Sequence, residues 1–158
     1  MNADVRLRLV EPGDLPIFFE QQRDAGANHL AAFGAEDPNA RDAFNAKWQK
    51  ILDDPHLVAR TILYQEKVAG NLGCHRWFGE PEVSYWLGRE FWNKGVATAA
   101  LTQLLTIVSE RPVFARVVHD NIPSLRVLQK CGYVVTGTDR AFSRSRGAEV
   151  DELILRLD

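Results

Sequence analysis

Apolar and basic side chains alternate at period two through Val5-Arg6-Leu7-Arg8-Leu9-Val10, the pattern of a strand with one buried face. Glu11-Pro12-Gly13-Asp14 ends it, and Asp14 is placed to cap a helix whose apolar side is Leu15, Ile17, Phe18 and Phe19. From Gly26 to Asn39 there is little periodicity, and no element is expected. A second helix is expected from about Ala40 to Asp53, with Phe44, Trp48, Ile51 and Leu52 spaced for one face. Leu57 to Phe78 reads as two β-rich runs flanking the polar turn Gln65-Glu66-Lys67, and Val83 to Leu87 as another strand. The strongest helical signal runs from Val96 to Ser109, where Val96, Ala97, Ala100, Leu101, Leu104, Leu105 and Val108 keep to one face. A strand over Val113 to Val118, a helix over Pro123 to Lys130 closed by Gly132, and strands over Tyr133 to Thr138 and Glu149 to Leu157 complete the chain.

The resulting order, β-α-α-β-β-β-α-β-α-β-β, describes an α/β chain in which helices interrupt a mixed sheet. Without repeat, linker or low-complexity stretch, residues 1–158 are expected to form one domain. That length buries about two-thirds of the unfolded surface without staples. The 46% hydrophobic and 25% charged fractions exclude a disordered or collagen-like chain. A net charge of −2 gives no electrostatic reason to expect nucleic acid or an anionic membrane as partner. No apolar run approaches the roughly 18 residues of a membrane span, and the N-terminus enters the alternating pattern instead of a signal peptide. Cys74 and Cys131 lie far apart without CxxC spacing, so both are read as reduced thiols and the protein as cytoplasmic.

Two segments carry chemistry. Asn93-Lys94-Gly95-Val96-Ala97-Thr98 joins a strand to a helix start, where unpaired amides and the positive dipole end suit a phosphate or pyrophosphate. The bland alternative is a connector and nothing more. A P-loop fails because position 93 is Asn and Lys94 is followed by Gly95, and there is no GxGxxG. The second segment, Asp120 to Tyr133, opens with Asn121, which can cap a helix, and Pro123, which fits the first turn. A strand separates the two helix starts, and a parallel arrangement would bring both to the same end of the sheet. Cys74, His75, His119 and Cys131 lack zinc-site spacing, so no metal is expected. Phe18, Phe44 and Trp48 read as core, and Arg140, Arg144 and Arg146 as a basic loop that is solvated or meets an acidic acceptor.

Together these segments resemble the GNAT superfamily of acyl-coenzyme A-dependent N-acyltransferases, and most closely its ribosomal-protein N-terminal acetyltransferase branch. The similarity is to a strand-turn-helix Y-W-L-x-x-x-x-W-x-K-G-x-A-T, here Tyr85-Trp86-Leu87 with Trp92 to Thr98. It extends to a later N-x-x-S-x-x-V-L-x-K-x-G-Y/F, here Asn121, Ser124, Val127, Leu128, Lys130, Gly132 and Tyr133. The resemblance implies a mixed six- to seven-stranded sheet flanked by about four helices, with acetyl-CoA as co-substrate. It also implies residue roles: amides of Asn93, Lys94, Gly95, Val96, Ala97 and Thr98 on the pyrophosphate, and the backbone of Tyr85, Trp86 and Leu87 along pantetheine. Asn121 and Leu128 would hold the arm from the other side.

Many members of this family carry a tyrosine where this chain has Leu128, and its hydroxyl protonates the departing thiolate. Ser124 offers a hydroxyl in its place, with a helix-capping partner as its other reading. Glu82 matches an acid on the family's equivalent strand and is the candidate base, with a solvated strand-end charge as its other reading; Asp151 and Glu152 are weaker candidates. The expected function is transfer of an acetyl group from acetyl-CoA to a primary amine, a small molecule or a protein N-terminus. The alternatives are a non-catalytic coenzyme A-binding regulatory domain and a plain α/β interaction domain. The acceptor wall is expected at about residues 28–39 and 138–149, and a homodimer stays open.

Overall fold

The computed structural model describes residues 4–76 and 78–158; Met1 to Ala3, and Trp77 within the expected hairpin run, lie outside them. The chain runs β1 (Val5–Arg8), α1 (Leu15–Gln22), α2 (Ala25–Ala31), α3 (Arg41–Asp53), β2 (Val58–Tyr64), β3 (Lys67–His75), β4 (Glu82–Leu87) and α4 (Val96–Ile107). It continues through β5 (Val113–Val118), α5 (Ile122–Lys130), β6 (Val134–Ser143) and β7 (Ala148–Leu157). The strands form one sheet in the order β1-β2-β3-β4-β5-β7-β6, in which only β4 and β5 are parallel.

Alternation along the strands gives the sheet two different faces. Val83, Leu72, Ala115, Val117 and Leu155 meet Val96, Ala100, Leu101 and Leu104 of α4 in the main core, with Leu128 of α5 beside them. Phe18 and Phe19 of α1 and Phe44 and Trp48 of α3 form a smaller aromatic core on the opposite face. The Phe18–Trp48 rings lie 5.1 Å apart, so this group is packing, as its helical spacing predicts. At the β2–β3 turn, Gln65 and Glu66 both take positive φ, the combination that a two-residue hairpin turn requires.

Three expectations need correction. The described residues hold five α-helices where about four were expected, because α2 forms in the stretch read as irregular. Its sequence is weak, but the Asp24 side chain accepts from Ala27 N at 3.1 Å at the helix start. Asp14 does not cap α1; its buried carboxylate accepts from both terminal nitrogens of Arg8 (2.7 and 2.9 Å), from Glu11 N and from Thr61 Oγ1. Strand β6 continues to Ser143 instead of stopping near Thr138, since every residue from Thr138 onward finds a partner on β7.

Candidate active site

Strands β4 and β5 share a single register pair, Glu82 with Phe114, secured by Phe114 N donating to Pro81 O at 2.8 Å. On its other edge β4 pairs with β3 along its whole length. From Val83 to Leu87, therefore, the β5-facing edge of β4 has no strand partner among the described residues, and it can take an extended ligand as an added strand. Because the two strands are parallel, the turn after β4 and the turn after β5 lie at the same end of the opening, bringing the starts of α4 and α5 together.

The turn before α4 has the geometry expected of an anion cradle. Asn93 and Gly95 both have positive φ, and Gly95 occupies the cap position, where it has no side chain to bond the helix amides. Val96 and Ala97 bury their side chains in the core, so their amides are what they offer at the turn, while Asn93, Lys94 and Gly95 are exposed. A Cβ on Gly95 would meet nothing within 4 Å, which leaves open space over the backbone at the helix start. The indoles of the motif brace this turn. Trp92 donates to Leu87 O at 3.1 Å with the Arg89 guanidinium stacked 4.6 Å over its ring, and Trp86 donates to Gln21 O at 3.0 Å, tying β4 to α1.

Across the opening, Asn121 caps α5, its Oδ1 accepting from Ser124 N at 3.4 Å. Leu128 is 2% exposed and sits in the main core, so it backs the cleft and presents no polar atom to it. Ser124 Oγ lies 2.7 Å from Tyr85 Oη, a contact that links α5 to β4.

The opposite face of β4 presents Glu82. Its carboxylate is buried, not solvated, and burial pushes its pKa above the ordinary carboxylate value although the nearby Arg116 guanidinium opposes the shift. Arg116 Nε is 3.6 Å from Glu82 Oε1, and its Nη1 reaches Asp139 Oδ2 (3.1 Å) and Glu152 Oε1 (3.2 Å). His75, cross-strand from Glu82, approaches it at 3.8 Å, but burial and Lys47 hold its pKa down to about 4, so it is neutral at physiological pH. Glu152 also lies above its ordinary value through burial. Of the weaker candidates, Glu152 joins this cluster and Asp151 faces away, paired with Arg140. Arg116 was missed; a charged residue inside the apolar strand Val113-Phe114-Ala115-Arg116-Val117-Val118 was its only signal.

The β6–β7 turn closes the end of this face. Arg146 donates to both carboxylate oxygens of Asp120 (2.6 and 2.8 Å) and to the carbonyls of His29 (2.8 Å) and Leu30 (3.2 Å). Ser143 and Ser145 bond the carbonyls of Ala32 and Asn28. The arginines of the basic loop are paired, Arg140 with Glu149 and Asp151 and Arg144 with Glu36, in exposed ion pairs that fit the solvated reading of this loop.

The fold and the sequence both have counterparts among known proteins. Residues 4–134 match the model of an acetyltransferase (GNAT) domain. A Bacillus subtilis (strain 168) protein named "Putative ribosomal N-acetyltransferase YdaF" is 26% identical over 155 residues, covering 89% of this chain and 83% of its own. Among solved structures, a spermidine N-acetyltransferase from Vibrio cholerae in complex with CoA and spermine superposes with a TM-score of 0.83 at 18% identity, covering 99% of this chain and 96% of that one. The ribosomal L7/L12 α-N-protein acetyltransferase RimL in complex with coenzyme A gives 0.75 at 15% identity, covering 97% and 94%. The chain belongs to the GNAT acetyltransferase family and is an acetyl-CoA-dependent N-acetyltransferase.

Proposed function

We propose that acetyl-CoA lies through the opening between β4 and β5, with coenzyme on the α4 and α5 side and the acceptor amine entering on the Glu82 side. The amides of residues 93–98 hold the pyrophosphate, the free edge of residues 85–87 holds the pantetheine arm and Asn121 holds it from α5. An alkyl ammonium has a pKa of about 10 and an α-amino group about 8, so the acceptor must lose a proton before attack. Glu82 receives it, its raised pKa bringing it nearer the task. The free amine then adds to the thioester carbon, and its nitrogen, positively charged in the tetrahedral intermediate, gives a second proton to water; collapse of the intermediate breaks the C–S bond, and the electron pair leaves with sulfur toward Ser124. The observation that carries this reading is the single register pair between β4 and β5, with buried Glu82 beside it and an uncapped helix start at its open end.

The acceptor is a cationic amine. Glu82, Glu152 and Asp139 outnumber Arg116 and Lys47 on the acceptor face, and the arginines of the hairpin are paired with carboxylates of their own. Polyamines and ribosomal-protein N-termini, the acceptors that the names of relatives print, are the first compounds to try. Two free cysteines fit a reducing compartment, and the cytoplasm is the proposed location. Among the described residues no helix is long and apolar enough to cross a membrane. The test is release of free CoA thiol from acetyl-CoA across a panel of polyamines, short peptides and acidic amino compounds, with products identified by mass spectrometry. Turnover confined to cationic amines is expected. Turnover only with acidic amines overturns the acceptor class, and CoA binding without turnover on any amine overturns the catalytic roles.

A further inference from the structure

The α5 position where many family members place a tyrosine is filled by the buried Leu128, yet a phenol reaches the opening from the other wall. Tyr85 is half-buried on the core face of β4, and its hydroxyl lies 2.7 Å from Ser124 Oγ. Strand alternation fixes which side of the opening this is: Glu82, Ser84 and Trp86 point to the acceptor face, while Val83, Tyr85 and Leu87 point to the core face that α4 and α5 cover. A thioester lying through the opening thus has the base on one face and the Tyr85–Ser124 pair on the face from which sulfur departs. Along β4, Tyr85 stands three residues from Glu82, about 10 Å, on the way to the pyrophosphate turn.

We propose that Tyr85 is a positioning residue whose hydroxyl donates to Ser124 Oγ and so commits the Ser124 hydroxyl proton to the leaving sulfur. This rests on the transferase reading above. A serine hydroxyl has one proton and can turn it toward either neighbour. Burial pushes the Tyr85 phenol up to about 12, so the phenol keeps its proton throughout the working range and always has one to donate. With that bond made, Ser124 Oγ is already an acceptor, and its own O–H is left for sulfur. As the C–S bond breaks and its electron pair passes to sulfur, Ser124 donates a hydrogen bond to the developing thiolate. The thiolate then takes its proton from water, and neither Tyr85 nor Ser124 gives one up. The Asn121 cap holds the backbone of Ser124 in place while Tyr85 sets its side chain.

The pair can be tested in the full chain with Tyr85→Phe, Ser124→Ala and the double variant, each first shown to melt within a few degrees of wild type. Tyr85→Phe is expected to lower kcat about three- to tenfold with the CoA dissociation constant unchanged, and the double variant to be no slower than Ser124→Ala alone. A second readout needs no turnover. The thiol of bound CoA, titrated by its ultraviolet thiolate band against desulfo-CoA, should have a lower pKa on wild type than in solution, and Tyr85→Phe should bring it back up. Unchanged kcat in Tyr85→Phe, or independent multiplying effects of the two substitutions, overturns the proposal. So does tighter CoA binding by Tyr85→Phe at unchanged kcat, which would make the bond a latch across an empty cleft. Wild type that binds CoA, leaves its thiol pKa unmoved and acetylates no amine overturns the transferase roles themselves, whereas turnover by wild type with a silent Tyr85→Phe overturns this inference alone.

Discussion

At the scale of single residues, the decisive contrast is between Glu82 as a strand-end charge in water and Glu82 as found, 9% exposed beside an arginine. Burial raises the pKa of its carboxyl and Arg116 lowers it, with burial the larger effect. If Glu82 takes the amine proton, Glu82→Gln lowers kcat by about 10²-fold and removes the acidic limb of the kcat/KM profile, which pH–rate measurements check. Arg116→Gln moves the other way, because losing the guanidinium leaves burial unopposed and shifts that limb to higher pH. The same shift has a stability sign. A carboxyl with a raised pKa in the fold binds its proton more tightly there than in the unfolded chain, so stability falls as pH rises through its titration. Removing the charge in Glu82→Gln lifts that penalty at neutral pH, and a melting temperature at or above wild type alongside lost activity is the expected pairing. Lost activity with unchanged pH limbs would assign the proton to another acceptor.

Among elements, α2 shows how a weak helix becomes one wall of a site. Asp24 accepts from Ala27 N at its start and forms a fork with Arg89, Nε to Oδ2 at 2.6 Å and Nη2 to Oδ1 at 2.7 Å, reaching the turn that follows β4. The Arg89 bond is the main cause that holds the Asp24 carboxyl down at about 2, below its ordinary 3.8. A depressed carboxyl contributes stability that is complete above its unfolded value and is lost as pH falls toward the folded one. Asp24→Ala should therefore destabilise by about 1 kcal/mol near neutrality, a fall of about 2–4 °C in melting temperature. That gap should narrow between about pH 4 and pH 2, as thermal melts across the acid range would show. A gap independent of pH would assign the effect to the side chain's packing and not to its charge.

In the molecule as a whole, both ends of the chain and its middle meet around one opening. Arg146 of the β6–β7 turn spans three elements at once, holding the end of α2 by two carbonyls and the turn before α5 by the Asp120 carboxylate. Its side chain is 11% exposed, and the planar fork that makes these bonds has no equivalent in lysine. Arg146→Ala is expected to lower the melting temperature and raise the acceptor KM about tenfold, with CoA affinity changed less, and Arg146→Lys to restore little of either. Steady-state kinetics with the acceptor and acetyl-CoA varied in turn separate the two constants. Equal weakening of both would mean that the turn carrying Asn121 moves with its neighbour.

Local chemistry was enough to write much of this protein. Period-two and period-3.6 patterns located β1, α1, α3, the β2–β3 hairpin, β4, α4, β5, α5 and β7, because each buries a face long enough to show its spacing. The motif around Gly95 marked the start of α4, since positive φ and a bare helix start are properties of a few consecutive residues. Tertiary structure alone decided the rest. Asp24, which caps the start of α2, is itself held by Arg89 from 65 residues away, and the far half of β6 pairs residue by residue with β7. The burial of Glu82, its Arg116 neighbour and the meeting of Tyr85 with Ser124 across 39 residues follow from strand order and from where β4 and β5 part. A sequence records which groups are present and how local chain geometry spaces them, while the charge a buried group carries and the partner it keeps depend on contacts that only the folded sheet creates.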